Sequence, residues 1–199
     1  TGQVTYVAAR IPFIIIAALV VPVTAALAYA FSKKRDIAIL SALFAIFSVY
    51  HAPFVGVTDN FSLFMLFGGL YFLVASKLIE DPSQKKYWFA LGLFAGLLAL
   101  SRSDGLLWLG MTFLFIFYRF SSNSNISTSR ALRITQYASR ITLHAILAVL
   151  GFLVIMSPWY ARNFSAFGTL MAPGGSRALW LQNYDQTFIY PPGQLTKES

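Results

Sequence analysis

Six apolar runs alternate with short polar segments along the 199-residue chain. The runs lie at Val4–Phe31, Ile37–Val57, Asn60–Leu78, Tyr87–Leu100, Leu106–Tyr118 and Ile141–Trp159. The longer runs reach the roughly 20 residues that a helix needs to cross about 30 Å of hydrocarbon. A segment in hydrocarbon must satisfy its own backbone hydrogen bonds, and these runs lack the alternation of barrel strands. The pattern therefore predicts an all-α, polytopic transmembrane helix bundle of about six spans.

The charged residues are sorted between the two sides of this predicted topology. Ten of the 15 Lys and Arg residues fall in every second connection, namely Lys33, Lys34, Arg35, Lys77, Lys85, Lys86, Arg119, Arg130, Arg133 and Arg140. Because cytoplasmic loops of membrane proteins carry an excess of Lys and Arg, we assign this side to the cytoplasm. The few charges on the other side have no topological explanation, so the function is sought there.

Composition supports a membrane protein. With 57% hydrophobic and 11% charged residues, the chain is too apolar for a soluble domain of this length. The net charge of +8 is explained mainly by the cytoplasmic loops, so no nucleic-acid partner is predicted. The absence of cysteine excludes disulfides and thiolate chemistry. We expect an internal piece of a larger membrane protein, with a transmembrane region at 1–160 and the start of an extracytoplasmic loop region at 161–199.

The fourth and fifth predicted spans are short and flank the polar turn Ser101–Gly105. Such a hairpin either thins the membrane or places its turn in a polar cavity, and the cavity is the preferred interpretation. Gly92 and Gly96 are four residues apart and predict a face where another helix packs closely. The segment Asp81-Pro82-Ser83 predicts a turn.

The charges of the second side suggest an anion site. They include Arg10, Asp59, Arg102, Asp104, Arg162, Arg177 and Asp185. A guanidinium fork matches phosphate oxygens. Asp59 either orients or deprotonates an acceptor hydroxyl, helps to hold a metal ion, or caps a helix, a capping role that Thr58 or Asn60 can share. Arg102 and Asp104 either pair with each other or contact substrate. Tyr184 either stacks on a sugar ring or rests at the lipid headgroups. No group of residues has metal-ligand spacing, so no metal site is predicted.

Four motifs occur in order along the chain: Ala8-Ala9-Arg10-Ile11-Pro12 at the start of a span, GLFAGLLALSRSDG at Gly92–Gly105, Pro158–Asn163 followed by Phe167-Gly168, and PGGSRALW at 173–180. In this order they resemble the polyprenol-phosphate-sugar-dependent membrane glycosyltransferases of the glycosyltransferase C superfamily. The resemblance is to the protein mannosyltransferase and aminoarabinose transferase type.

This resemblance implies an inverting transferase that moves a sugar from a polyprenyl-phosphate-linked donor to a lipid, glycan or protein acceptor. The active site would face the extracytoplasmic side of a bacterial or archaeal cytoplasmic membrane. The principal catalytic acid would precede Thr1, and Asp59 would be a second acid. Residues carried over as donor phosphate ligands are Arg102, Arg162 and Arg177, and those carried over as site-lining are Arg10, Asp104, Tyr184 and Asp185. No cofactor is required; a divalent metal stays possible, although no residue pattern supports one.

Two alternatives stay open at this point. One is a multi-spanning transporter or lipid flippase, which predicts charged or polar groups inside several spans. The other is a non-catalytic membrane subunit, whose outer arginines would neutralise lipid headgroups.

Overall fold

The computed structural model describes residues 6–48, 60–102, 105–121 and 130–170, which form six α-helices. The helices are α1 (Tyr6–Ser32), α2 (Arg35–Ile46), α3 (Phe61–Glu80), α4 (Lys85–Ser101), α5 (Leu106–Ser121) and α6 (Arg130–Phe167). No strand occurs in these ranges, which confirms the all-α prediction. The chain divides into two compact units, residues 1–155 and 156–199, and each is described by itself.

Among the described residues, three helices are long and apolar enough to cross a membrane. They are Ala8–Ser32, Phe61–Glu80 and Ala138–Phe167. The predicted number of six spans is not confirmed, because α2 has only 12 residues and the apolar stretch of α5, Leu106–Phe120, is also short. At 1.5 Å per residue, α2 reaches only about 18 Å. The predicted span 37–57 is therefore not seen as one helix: α2 ends at Ile46, with Ser48 N bonded to Ala45 O in a tighter last turn.

The last helix is longer than predicted at both ends. The expected span was 141–159, whereas α6 begins at Arg130 and continues through Pro158 to Phe167. The helix closes where Gly168 adopts a positive φ of 70° and its N–H donates to Phe164 O at 2.9 Å. This is a common way for a helix to end, because glycine adopts that conformation without steric cost. The predicted division of the chain at residue 160 therefore does not coincide with the end of a helix.

Glycine residues bring α4 and α6 into backbone contact, as the Gly92/Gly96 spacing predicts. A Cβ atom at Gly92 would overlap the backbone of Ala148, and one at Gly151 would overlap the carbonyl of Phe89. At Gly96 it would lie 2.8 Å from Ile155 Cβ. Helices that associate in lipid depend on such close packing, because the hydrophobic effect does not favour their association in hydrocarbon. The packing prediction is confirmed, and α6 is the partner helix.

The ends of α1, α3 and α5 meet at what we call the basic end, where Lys33, Glu80 and Arg119 lie together. Lys33 Nζ lies 2.6 Å from Glu80 Oε1, and Lys77 Nζ lies 3.4 Å from Glu80 Oε2. Arg119 Nη2 donates to Ile79 O at 3.0 Å, near the last carbonyls of α3. Basic residues that the charge pattern assigned to one side, Lys33, Lys77 and Arg119, therefore lie at one end of the bundle. Their cytoplasmic orientation stays a prediction.

The turn between α3 and α4 follows the predicted Asp81-Pro82-Ser83 sequence. Asp81 Oδ1 accepts hydrogen bonds from Ser83 Oγ at 2.6 Å and Ser83 N at 3.0 Å, and Oδ2 accepts one from Gln84 Nε2 at 2.9 Å. The Ser83 hydroxyl bond contributes most to holding the pKa of Asp81 below its usual value. These bonds close the turn and fix the start of α4.

A hydrogen bond between buried hydroxyl groups joins α3 to α5. The Tyr71 hydroxyl lies 2.9 Å from Thr112 Oγ1, which donates to Trp108 O, also at 2.9 Å. Both side chains are buried, and the Tyr71 ring packs edge-on to Trp108 at 5.0 Å. The Tyr71 hydroxyl also donates to Trp108 O at 3.4 Å, so the contact combines ring packing with two interhelical hydrogen bonds.

Replacing Tyr71 with Phe is expected to lower the free energy of unfolding by about 0.5–1 kcal/mol, since membrane interhelical hydrogen bonds average about 0.6 kcal/mol. The ring contact would persist, and Thr112 would keep its bond to Trp108 O. Denaturant titration in detergent micelles measures the loss, with Tyr29→Phe on the exposed face of α1 as the control. A loss above about 2 kcal/mol would mean that these hydrogen bonds contribute more than interhelical hydrogen bonds in membranes usually do.

Candidate functional site

The start of α3 and the end of α4 form the candidate site, at the end of α3 opposite to the basic end. Asn60 Nδ2 donates to Ser101 O at 2.8 Å and so connects the two helix ends. Asn60 occupies the N-cap position of α3, but its side chain makes no capping hydrogen bond. The alternative in which the Asn60 side chain shares the capping of α3 is therefore not seen. The amide instead donates to a C-terminal carbonyl of α4, one of the four that a helix leaves unpaired.

The Arg102 guanidinium group lies over two aromatic rings of α3. It is the C-cap residue of α4, in an extended conformation with φ −149° and ψ 147°. Its guanidinium carbon lies 5.4 Å from the ring centroid of Phe61 and 5.6 Å from that of Phe64. Residues three apart share one face of a helix, so both rings reach the same cation. A guanidinium group within about 6 Å of ring centroids is stabilised by cation–π attraction.

Gly105 permits the tight return of the chain into α5. Its N–H donates to Arg102 O at 2.9 Å. A Cβ at this position would overlap backbone atoms of Leu98 and Ala99. Only glycine avoids this overlap. The absence of a side chain at Gly105 therefore allows the tight turn that leaves Arg102 beside α3.

We call Asn60, Phe61, Phe64, Ser101 and Arg102 together the Arg102 site. Sequence reasoning predicted Arg102 but missed Asn60 as a bridge and both phenylalanines as stacking partners. The signal was present in part, since Phe61 and Phe64 have i, i+3 spacing just after a capping segment. That spacing shows that two rings share a face, but not that an arginine from another helix lies against them.

Arg162 lies in the second unit, near the end of α6, and has its own aromatic surroundings. Its guanidinium carbon is 5.3 Å from the Trp159 ring centroid and 5.6 Å from that of Phe167. Its Nη1 donates to Asn163 Oδ1 at 3.2 Å. Asn163 is fully buried and donates in turn to Leu170 O at 3.2 Å. The Arg162 guanidinium group is thus held by two ring contacts and one hydrogen bond, although Arg162 as a whole is exposed.

The other predicted site residues divide into one that the structure describes and five that it does not. Arg10 lies near the start of α1 and is partly exposed. Predicted site residues outside the described ranges are Asp59, Asp104, Arg177, Tyr184 and Asp185. The suggested Arg102–Asp104 pair and the catalytic role of Asp59 therefore stay predictions. Within residues 6–48, 60–102, 105–121 and 130–170, no three His, Cys, Asp or Glu residues group as metal ligands.

Comparison of the chain with known protein families, with curated proteins and with solved structures finds no match. The three long apolar helices are compatible with an integral membrane protein. The resemblance to membrane glycosyltransferases rests on the motifs of the sequence alone.

Proposed function

We propose that this chain is part of a membrane glycosyltransferase that transfers a sugar, with inversion, from a polyprenyl-phosphate-linked donor to an acceptor on the extracytoplasmic face. The Arg102 site carries the proposal. It places an oriented arginine at one end of a helix bundle, within the GLFAGLLALSRSDG stretch that resembles the transferases.

The chemistry of such a transfer needs positive charge at the departing phosphate. The N–H donors of an arginine lie in the plane of its guanidinium group and form a fork that matches phosphate oxygens. Cation–π contacts with Phe61 and Phe64 help to hold this group in place at the end of α4. Donors oriented before the reaction stabilise developing charge more effectively than mobile ones. In this proposal Arg102 binds the donor phosphate, and Arg162 and Arg177 are further ligands.

Acceptor activation requires a general base. The proposal gives Asp59 a supporting role in this step, with Arg10, Asp104, Tyr184 and Asp185 lining the site. Neither a cofactor nor a metal has a role in this scheme, because arginines provide the charge that a metal would otherwise supply.

The transporter alternative receives less support from the interior of the bundle. Buried polar side chains among the described residues are Ser62, Ser76, Thr112, His144 and Asn163. None of these is Asp, Glu, Lys or Arg, whereas charged groups facing a bundle interior commonly mark transport pathways. The proposal of a transferase is therefore retained over that of a transporter.

The test is sugar transfer in liposomes that contain the protein, with a panel of radiolabelled polyprenyl-phosphate sugars. Arg102→Gln is expected to lower the transfer rate about 100-fold, the usual effect of removing one oriented donor at a developing charge. Arg102→Lys should recover part of the rate, because it keeps the charge but loses the planar fork. Asp59→Asn is run in parallel.

Arg140→Gln is the matched control, since it removes an exposed arginine of α6 that the proposal does not use. Full transfer by Arg102→Gln would contradict the assignment of the donor phosphate to Arg102 but leave the enzyme class standing. Wild-type protein that transfers none of the sugars while remaining folded would contradict the proposed function itself.

A further inference from the structure

The turn between α1 and α2 has a fixed conformation set by local hydrogen bonds. Lys33 adopts a positive φ of 57°, and its N–H donates to Tyr29 O at 2.8 Å. Ser32 Oγ donates to Ala28 O at 2.6 Å and accepts from Lys34 N at 3.2 Å. An αL residue that closes a helix in this way reverses the chain with few unpaired backbone groups. The turn is thus an ordered element that presents the side chains after it.

Ion pairing leaves part of the charge at this turn uncompensated. Lys33 and Lys77 share the carboxylate of Glu80. Lys34 and Arg35 are exposed and pair with no acid in the part of the chain that the structure describes. The neighbourhood of Lys33, Lys34, Arg35 and Lys77 against Asp36 and Glu80 therefore keeps an excess of two positive charges.

Apolar surface adjoins these charges directly. No residue of α2 is buried, although the helix is almost wholly apolar after Asp36. Its exposed side chains include Ile39, at 62%, and Leu40, at 52%, and Phe31 at the end of α1 is 60% exposed. A cationic turn beside a strip of exposed aliphatic and aromatic side chains complements the two parts of an anionic phospholipid. The basic side chains match the charged headgroup, and the apolar strip matches the acyl chains.

We propose that the α1–α2 turn is a binding site for an anionic glycerophospholipid. Lys34 and Arg35 bind the phosphate of the headgroup, and the acyl chains lie along Phe31 and the exposed face of α2. Charge complementarity selects an anionic lipid, since a zwitterionic headgroup does not offset the two positive charges. The site is independent of the proposed transferase chemistry and lies at the basic end, away from the Arg102 site.

Native mass spectrometry of the detergent-purified protein tests this inference with dioleoyl phosphatidylglycerol and dioleoyl phosphatidylcholine as probes. Wild type is expected to retain phosphatidylglycerol in preference to phosphatidylcholine. The double variant Lys34→Gln/Arg35→Gln should lower the association constant for phosphatidylglycerol by roughly tenfold or more, because each basic group near an anionic headgroup contributes appreciably. Both side chains are exposed, so folding should be unaffected, which far-UV circular dichroism checks.

Two further variants distinguish a specific lipid-binding site from general electrostatic attraction of anionic lipid to basic residues. Lys85→Gln/Lys86→Gln removes the same charge from the start of α4 and should leave phosphatidylglycerol binding within about twofold of wild type. Lys34→Arg/Arg35→Lys keeps the charge and should also bind. An equal loss in both charge-removing variants, no loss in either, or equal retention of the two lipids by wild type would each overturn the proposed site.

Discussion

Replacing Gly92 with alanine is expected to destabilise the protein by about 3 kcal/mol, at the upper end of the cost of overpacking a core. The added Cβ would overlap the backbone of Ala148 in α6, which has no flexible side chain that can move aside. Gly96 and Gly151 line the same contact. Relieving the overlap therefore requires α4 and α6 to separate along their length. Valine at position 92 should be worse, since it adds bulk at the same point.

Gly110→Ala in α5 is the matched control, because a Cβ at Gly110 meets no atom within 4 Å. There the substitution should be neutral or stabilising by up to about 1 kcal/mol, the gain in helix propensity of alanine over glycine. The midpoint of thermal unfolding in detergent measures both variants. Similar midpoints for Gly92→Ala and Gly110→Ala would show that α4 and α6 are not in backbone contact.

Replacing Trp88 with alanine should cost about 3 kcal/mol of unfolding free energy, the lower end of the range for a buried large aromatic residue. Trp88 is fully buried, and its indole Nε1–H donates to Pro82 O at 2.9 Å. Its ring lies 5.4 Å from Phe115 and 5.3 Å from His144. The lower end is expected because hydrocarbon or detergent around a bundle weakens the transfer contribution, whereas lost packing contacts in the cavity remain.

Two variants locate the origin of that loss. Trp88→Phe keeps an aromatic ring but removes the bond to Pro82 O, so it should cost about 1–2 kcal/mol. Trp159→Ala makes the same side-chain truncation at a residue that is 41% exposed and should cost about 1 kcal/mol, mainly the contact with Arg162. Denaturant titration gives all three values. A loss for Trp88→Ala no greater than that for Trp159→Ala would argue against an aromatic core at the start of α4.

Much of the helical architecture was predictable from the sequence. Long apolar runs predict helices because every backbone group must be paired inside hydrocarbon, and the runs that became α1, α3 and α6 are long and apolar enough to cross it. Helix ends were less predictable. α2 ends at Ile46 within an apolar run, and α6 continues past Pro158, so neither hydropathy nor a single proline determines where a helix stops.

The candidate site was predictable only for its charged members. Arg102 was identified because an ionisable residue on the side with few charges calls for an explanation. The roles of Asn60, Phe61 and Phe64 depend on which carbonyl and which cation the fold places beside them. Such contacts join residues about 40 positions apart, as in the Asn60–Ser101 bond, and no local pattern encodes that proximity.

The sequence by itself determined an all-helical, apolar chain with its positive charges sorted to alternate connections, because hydrophobicity and charge act on each segment separately. It also predicted that Gly92 and Gly96 form a contact face. Only the tertiary structure decided that α6 is the helix against that face, that Glu80 is shared by Lys33 and Lys77, and that Arg102 stacks on α3. These contacts depend on the relative placement of whole helices, which is a property of packing between segments and not of any one of them.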